Sequence, residues 1–187
     1  MMKRIFQLMV VSVLILSVTG CAVTTWSRMT KPVYRDGARD FEAEVPVDWM
    51  RFNLVKYFLI TKDGTVLNMI GVERFKFNKK LEFTKKVFEE SMTPSELAEV
   101  EIDNMRANGD IDKFEVISNQ PQTLDGRPAF RIEYTYVTTG GLETRGIHLG
   151  FIEDKWVYRI RYQAAEQHYF KATRPAFDRF IETFKLL

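Results

Sequence analysis

Between Ala129 and Tyr162 the chain alternates apolar and polar residues through three consecutive segments. Ala129 to Val137 sets Phe130, Ile132, Tyr134 and Tyr136 against Arg131, Glu133 and Thr135. Trp156 to Tyr162 sets Trp156, Tyr158, Ile160 and Tyr162 against Arg159 and Arg161, and Glu143 to Ile152 lies between them. A period of two is the pattern of a strand. The breaks are Gly140-Gly141 and Glu153-Asp154-Lys155. Connections this short join only antiparallel neighbours, because a parallel pair needs a crossover of a dozen residues or more. The stretch is therefore an antiparallel meander with one strongly apolar face that the rest of the chain must cover, and opposite charges on its more open face pair across strands.

The covering elements are also legible. Arg51 to Thr61 and Val66 to Phe75 flank Lys62-Asp63-Gly64-Thr65, a hairpin signature. The first arm is apolar on both sides, with Phe52, Leu54, Phe58 and Ile60 on one and Val55, Tyr57 and Leu59 on the other. Such a strand is covered on both faces. Phe41 to Val45 is a short strand stopped by Pro46, and Lys113 to Ser118 another, followed by a turn-rich link over Asn119 to Pro128. Thr93-Pro94-Ser95-Glu96 reads as a capping threonine, a first-turn proline and a glutamate three residues on. That helix is expected to run to about Asn108, with Leu97, Val100, Glu101 and Met105 on one side and Gly109 as its stop. Phe170, Thr173, Phe177, Phe180, Ile181 and Phe184 follow helical spacing, and Pro175 places the start of the main helix at Thr173 or Arg174. Residues 78–92 read as mostly loop, with a helix as the alternative, and their lysines as a solvated face. The predicted class is α+β, a mainly antiparallel sheet flanked by helices.

Residues 1–20 join a basic head (Lys3, Arg4) to an apolar body that closes on Thr19 and Gly20. These are the parts of a secretory signal peptide. The body is shorter than the roughly 20 apolar residues of a membrane-spanning helix. Val18-Thr19-Gly20-Cys21 resembles the lipobox of bacterial lipoproteins, in which the cysteine is lipidated and becomes the new first residue. The resemblance implies attachment to the membrane through lipid on Cys21, facing the periplasm. Ala22 stands where inner-membrane retention signals carry an aspartate, which points to the inner leaflet of the outer membrane in a two-membrane cell. Residues 21–39, polar and broken by Pro32 and Gly37, read as a tether, with Trp26 and Tyr34 either at the headgroups or folded back. The 167 residues after the leader are enough for one domain. Lys3 and Arg4 leave with the leader, so the 27 basic residues fall to 25 and balance the 25 acidic ones. Nucleic acid is thereby excluded on charge. Cys21 is the single cysteine, so no disulfide supports the fold.

Five stretches, taken in order, resemble the PsbP-like α/β/α sandwich over residues 40–187: Phe41…Val45-Pro46…Trp49; Thr61…Asp63-Gly64; Met92-Thr93-Pro94-Ser95-Glu96-Leu97-Ala98-Glu99; Leu124-Asp125-Gly126-Arg127-Pro128-Ala129-Phe130; and Tyr169-Phe170…Phe177…Thr183-Phe184-Lys185. That family includes the extrinsic PsbP proteins of photosystem II, a nuclear-import factor that binds Ran, and lipoproteins of the DcrB type. It is largely non-enzymatic, so the resemblance implies an accessory or docking domain with an envelope partner. It transfers no contact residue.

No catalytic set emerges from the residues. Cys21 is taken by the anchor, Gly-x-Ser-x-Gly does not occur, and no cofactor is expected. His148 and His168 stand twenty residues apart without a cysteine, a poor zinc set. Two readings remain: docking of an envelope protein, or binding of a small or lipid-like ligand between sheet and helix. Trp49, Trp156, Tyr158 and Arg159 are the residues proposed to line such a surface; the plainer reading of the aromatics is core. A solvent-open cavity lined by Trp156, Tyr158 and Arg159 would favour the ligand, and an exposed apolar patch would favour docking.

Overall fold

The computed structural model of the chain describes residues 25–187. The meander forms as its alternation requires. β8 (Arg127–Thr138), β9 (Glu143–Glu153) and β10 (Trp156–Ala165) pair antiparallel in sequence. They sit inside an eight-stranded sheet whose other members are β1 (Trp26–Arg28), β4 (Met50–Phe52), β5 (Phe58–Thr61), β6 (Asn68–Lys76) and β7 (Ile111–Leu124), in the order β1-β4-β5-β6-β10-β9-β8-β7. A smaller sheet, ordered β11-β3-β2, joins β2 (Val33–Asp36), β3 (Phe41–Glu44) and the terminal β11 (Lys185–Leu186).

Helix α1 (Pro94–Arg106) begins with the expected reciprocal cap. The Thr93 hydroxyl accepts from the Glu96 amide, and the Glu96 carboxylate accepts from the Thr93 amide at 2.7 Å. α1 covers one face of the large sheet through Leu97, Ala98 and Ile102, which pack with Phe75, Phe130, Ile132 and Tyr134. α2 (Tyr169–Thr183) covers the other face together with the small sheet, over Phe41, Phe58, Tyr162, Phe177, Phe180 and Phe184. The result is the predicted mainly antiparallel α+β architecture.

Several sequence expectations need correction. Residues 26–36 are not a tether: Trp26–Arg28 pairs with β4, Trp26 packs on Phe52 at 4.6 Å, and Val33–Asp36 pairs with β3. Cys21, Ala22 and the leader lie outside the described residues. Arg51 to Thr61 is not one strand, because the chain bends over 53–57 and returns so that Met50 pairs with Thr61, leaving Leu54 exposed. All four residues of β5 are buried, as a strand covered on both faces requires. Its partner arm resumes only at Asn68, whose side chain accepts from the Lys62 amide and donates to Asp63, both at 2.8 Å. Asn119 to Leu124 is strand rather than link. Asp125 and Gly126 take positive φ (47° and 78°), so two residues suffice to turn the chain. β7 is an edge strand, which is where Pro121 costs no ladder bond.

α2 starts at Tyr169, before Pro175 rather than at it. Pro175 and Lys171 are both exposed, so the carbonyl deprived of its amide donor lies on the solvent side of the helix. Residues 78–92 contain neither helix nor strand, as expected, although Leu81 and Phe88 are buried. Asn104 of α1 pins this loop by accepting from the amides of Phe83 and Thr84 at 3.1 and 3.3 Å.

Candidate functional site

α1 covers only part of its face of the sheet, and beside it a cleft of about 530 Å³ remains. Alternation decides what the strands place on the cleft floor. β9 turns Ile147, Leu149 and Phe151 into the α2 core, which leaves Gly146, His148 and Gly150 on the opposite face. β10 likewise sends Tyr158, Ile160 and Tyr162 to the α2 core and Arg159, Arg161 and Gln163 to the cleft. β6 adds Glu73 and Phe75, and α1 adds Glu101 and Asn104.

The two glycines are spacers. A Cβ at Gly146 would stand 2.5 Å from Tyr134 Cζ, and one at Gly150 would stand 2.6 Å from Phe130 Cε1. Each ring lies flat across β9 only because its opposite number there has no side chain (Tyr134↔Gly146 and Phe130↔Gly150). Tyr134 thereby reaches β10, where its hydroxyl accepts from Gln163 Nε2 at 2.9 Å. Burial pushes the Tyr134 phenol well above its ordinary pKa, so it stays a neutral hydroxyl.

Arg159 ties helix to sheet. Its Nε donates to Glu101 Oε1 at 2.9 Å and its Nη1 to Glu73 Oε2 at 3.1 Å, while the guanidinium sits 4.7 Å from the Phe75 ring centroid. Glu101 is 2% exposed. Burial opposes the charge on Arg159, but Glu101 and Glu73 outweigh it and hold its pKa above the ordinary value. Arg161 differs. It is about one-third exposed, and its Nη2 is 3.9 Å from Glu73 Oε2, beyond hydrogen-bond reach.

His148 lies between these groups, opposite Arg161 in register, with its ring edge-on to Phe130 at 5.4 Å. It is 1% exposed, and neither ring nitrogen has a hydrogen-bond partner. Burial, then Arg159 and Arg161, push its pKa well below the ordinary histidine value. The imidazole is therefore neutral, with one N–H to give and one lone pair to receive with.

Of the residues proposed from sequence, Arg159 alone lines this cleft. Trp49 and Tyr158 are core, 5% and 3% exposed. Trp156 is partly buried at the far end of β10, with Arg74 and Lys76 over its ring at 4.4 and 3.8 Å. His148, Arg161, Gln163, Glu73 and Glu101 line the cleft too, although none of them is singled out as a binding surface by the sequence. The Gly146-x-His148-x-Gly150 spacing was the available signal, since alternation places all three on one face. Among the described residues no cluster of three or more His, Cys, Asp or Glu is placed to hold a metal, and no helix is long and apolar enough to cross a membrane.

In sequence, no protein-family model and no curated protein matches the chain. Among solved structures it is similar to cyanobacterial PsbP (CyanoP) of Synechocystis sp. PCC 6803, with a TM-score of 0.57 at 15% identity over 91% of this chain and 98% of that one. The Ran-binding protein Mog1p of Saccharomyces cerevisiae gives 0.56 at 8% identity, covering 86% and 96%. LpqN of Mycobacterium tuberculosis, described as involved in cell envelope biogenesis, gives 0.54 at 11%, covering 86% and 91%. At these identities the likeness is one of fold, and the fold is PsbP-like.

Proposed function

We propose that this chain is a lipid-anchored accessory protein of the bacterial cell envelope whose domain works by non-covalent binding, and that the cleft between β10 and α1 holds a small or lipid-like ligand. His148 carries the ligand reading. A buried polar group without a partner costs about 1–3 kcal/mol, and native folds leave few such groups unexplained. Here both ring nitrogens are buried and unpartnered in a residue that lines a cleft of ligand size. The address rests on the lipobox-like Val18-Thr19-Gly20-Cys21. Metabolic labelling with a palmitate analogue is expected to mark the wild type and not Cys21→Ser.

Docking of an envelope protein is the second reading. Its support is the company the fold keeps: one neighbour is named as Ran-binding and another as involved in envelope biogenesis. Crosslinking in intact cells followed by affinity capture separates the two. Co-purifying small molecule or lipid without a reproducible protein supports the ligand reading, and a reproducible envelope protein supports docking.

A further inference from the structure

The charge and hydrogen-bond inventory of the cleft narrows the ligand class. Of the two floor arginines, Arg159 is satisfied by Glu101 and Glu73, whereas Arg161 meets its carboxylate only at 3.9 Å and keeps about a third of its surface in solvent. Beside it His148 offers two unused ring nitrogens. Arg161 and His148 stand opposite each other in register and both line the cleft, and an arginine fork beside an unpartnered imidazole N–H suits a planar oxyanion.

The charged residues lining the cleft are four basic (Lys79, Lys80, Arg159, Arg161) and three acidic (Glu73, Glu82, Glu101). The excess is a single positive charge. One negative charge on the ligand balances it, and a dianion such as a phosphomonoester would stand over-charged beside Glu73. Around the polar floor, Phe83, Met105 and Phe114 supply apolar lining. A purely ionic solute would leave that lining wet, and a purely apolar one would leave His148 unsatisfied.

We infer that the cleft binds an organic monoanion, a carboxylate on an apolar body, with the carboxylate on Arg161 and His148 and the body against Phe83, Met105 and Phe114. One ring nitrogen of His148 donates to the carboxylate, and the other accepts from a hydroxyl or water that enters with it. This rests on the cleft being a ligand site, and the test separates the two claims.

The full chain in lipid nanodiscs is titrated calorimetrically, against empty nanodiscs, with 3-phenylpropionate and with 3-phenylpropan-1-ol, which share a body and differ in charge. The acid is expected to bind at least tenfold more tightly, and Arg161→Met to erase that preference without lowering the melting temperature. Equal binding of acid and alcohol overturns the carboxylate assignment and leaves the cleft a ligand site. Binding of neither overturns both claims. Because the comparison is made on the wild type, it stands even if the variant fails to fold.

Discussion

Arg159 on β10 and Glu101 on α1, 58 residues apart, share a bond of 2.9 Å in a place where Glu101 is 2% exposed. The helix that walls the cleft is thus keyed to the sheet by a charge pair that neither partner can leave cheaply. Glu101→Ala strands Arg159 beside Glu73 alone and should cost about 3–5 kcal/mol in denaturant melts, the usual loss when one member of a buried pair is removed. The Glu101→Met/Arg159→Met double variant should lose clearly less than the two singles combined. Strict additivity would mean that the pair does not key the helix.

Gly146 is the counterpart of Tyr134. A methyl group at 146 meets the phenol ring at 2.5 Å, a distance that real Cβ contacts do not show. Gly146→Ala is expected to lower stability by about 1–3 kcal/mol through overpacking. In a Tyr134→Ala background the same change should be nearly neutral. An equal cost in both backgrounds would show that the glycine serves its own backbone rather than the ring.

Phe180 is fully buried between Phe41, Phe58 and Phe184, with ring centroids 6.1–6.2 Å apart. Phe180→Ala should cost about 3–5 kcal/mol. A loss below 1 kcal/mol would mean that α2 does not close the core.

His148 makes stability depend on pH. The folded pKa of His148 lies well below its ordinary value, so the unfolded chain takes up the proton first. Stability from this residue is complete above about pH 6.5 and is lost as pH falls from there toward the folded value, with a slope approaching ~1.4 kcal/mol per pH unit. His148→Phe should remove that component of the acid-side slope. At pH 7 it should leave stability unchanged or raise it by about 1 kcal/mol, because the side chain it replaces has no partner to lose. Identical pH profiles for wild type and variant would contradict the assignment.

The meander, both helices and the Asp63-Gly64 and Asp125-Gly126 turns were legible because each is local: alternation, a capping box and φ-permissive residues act within a few positions. The strands over 26–36 were not legible. Their residues are polar and aperiodic, and they are ordered by pairing with β3 and β4 rather than by any pattern of their own. Trp156 and Tyr158 look like ligand-lining aromatics in isolation, yet parity sends Tyr158 to the α2 core, and only Arg159 of the proposed set faces the cleft. The cleft itself depends on how far α1 reaches across the sheet and on the Glu101–Arg159 bond, relationships that sequence spacing does not carry. What sequence did hold was the run Gly146-x-His148-x-Gly150: one polar side chain between two gaps on the face away from Ile147, Leu149 and Phe151.

The central claim, that the cleft floored by His148 and Arg161 is an occupied binding site, is met most directly by native mass spectrometry of the full chain purified from the cells that make it. A discrete adduct beyond the covalent mass of the chain, present in the wild type and lost when Met105→Trp fills the cleft from α1, is the predicted result. A wild type that carries no adduct, or one retained unchanged in the filled variant, would contradict it.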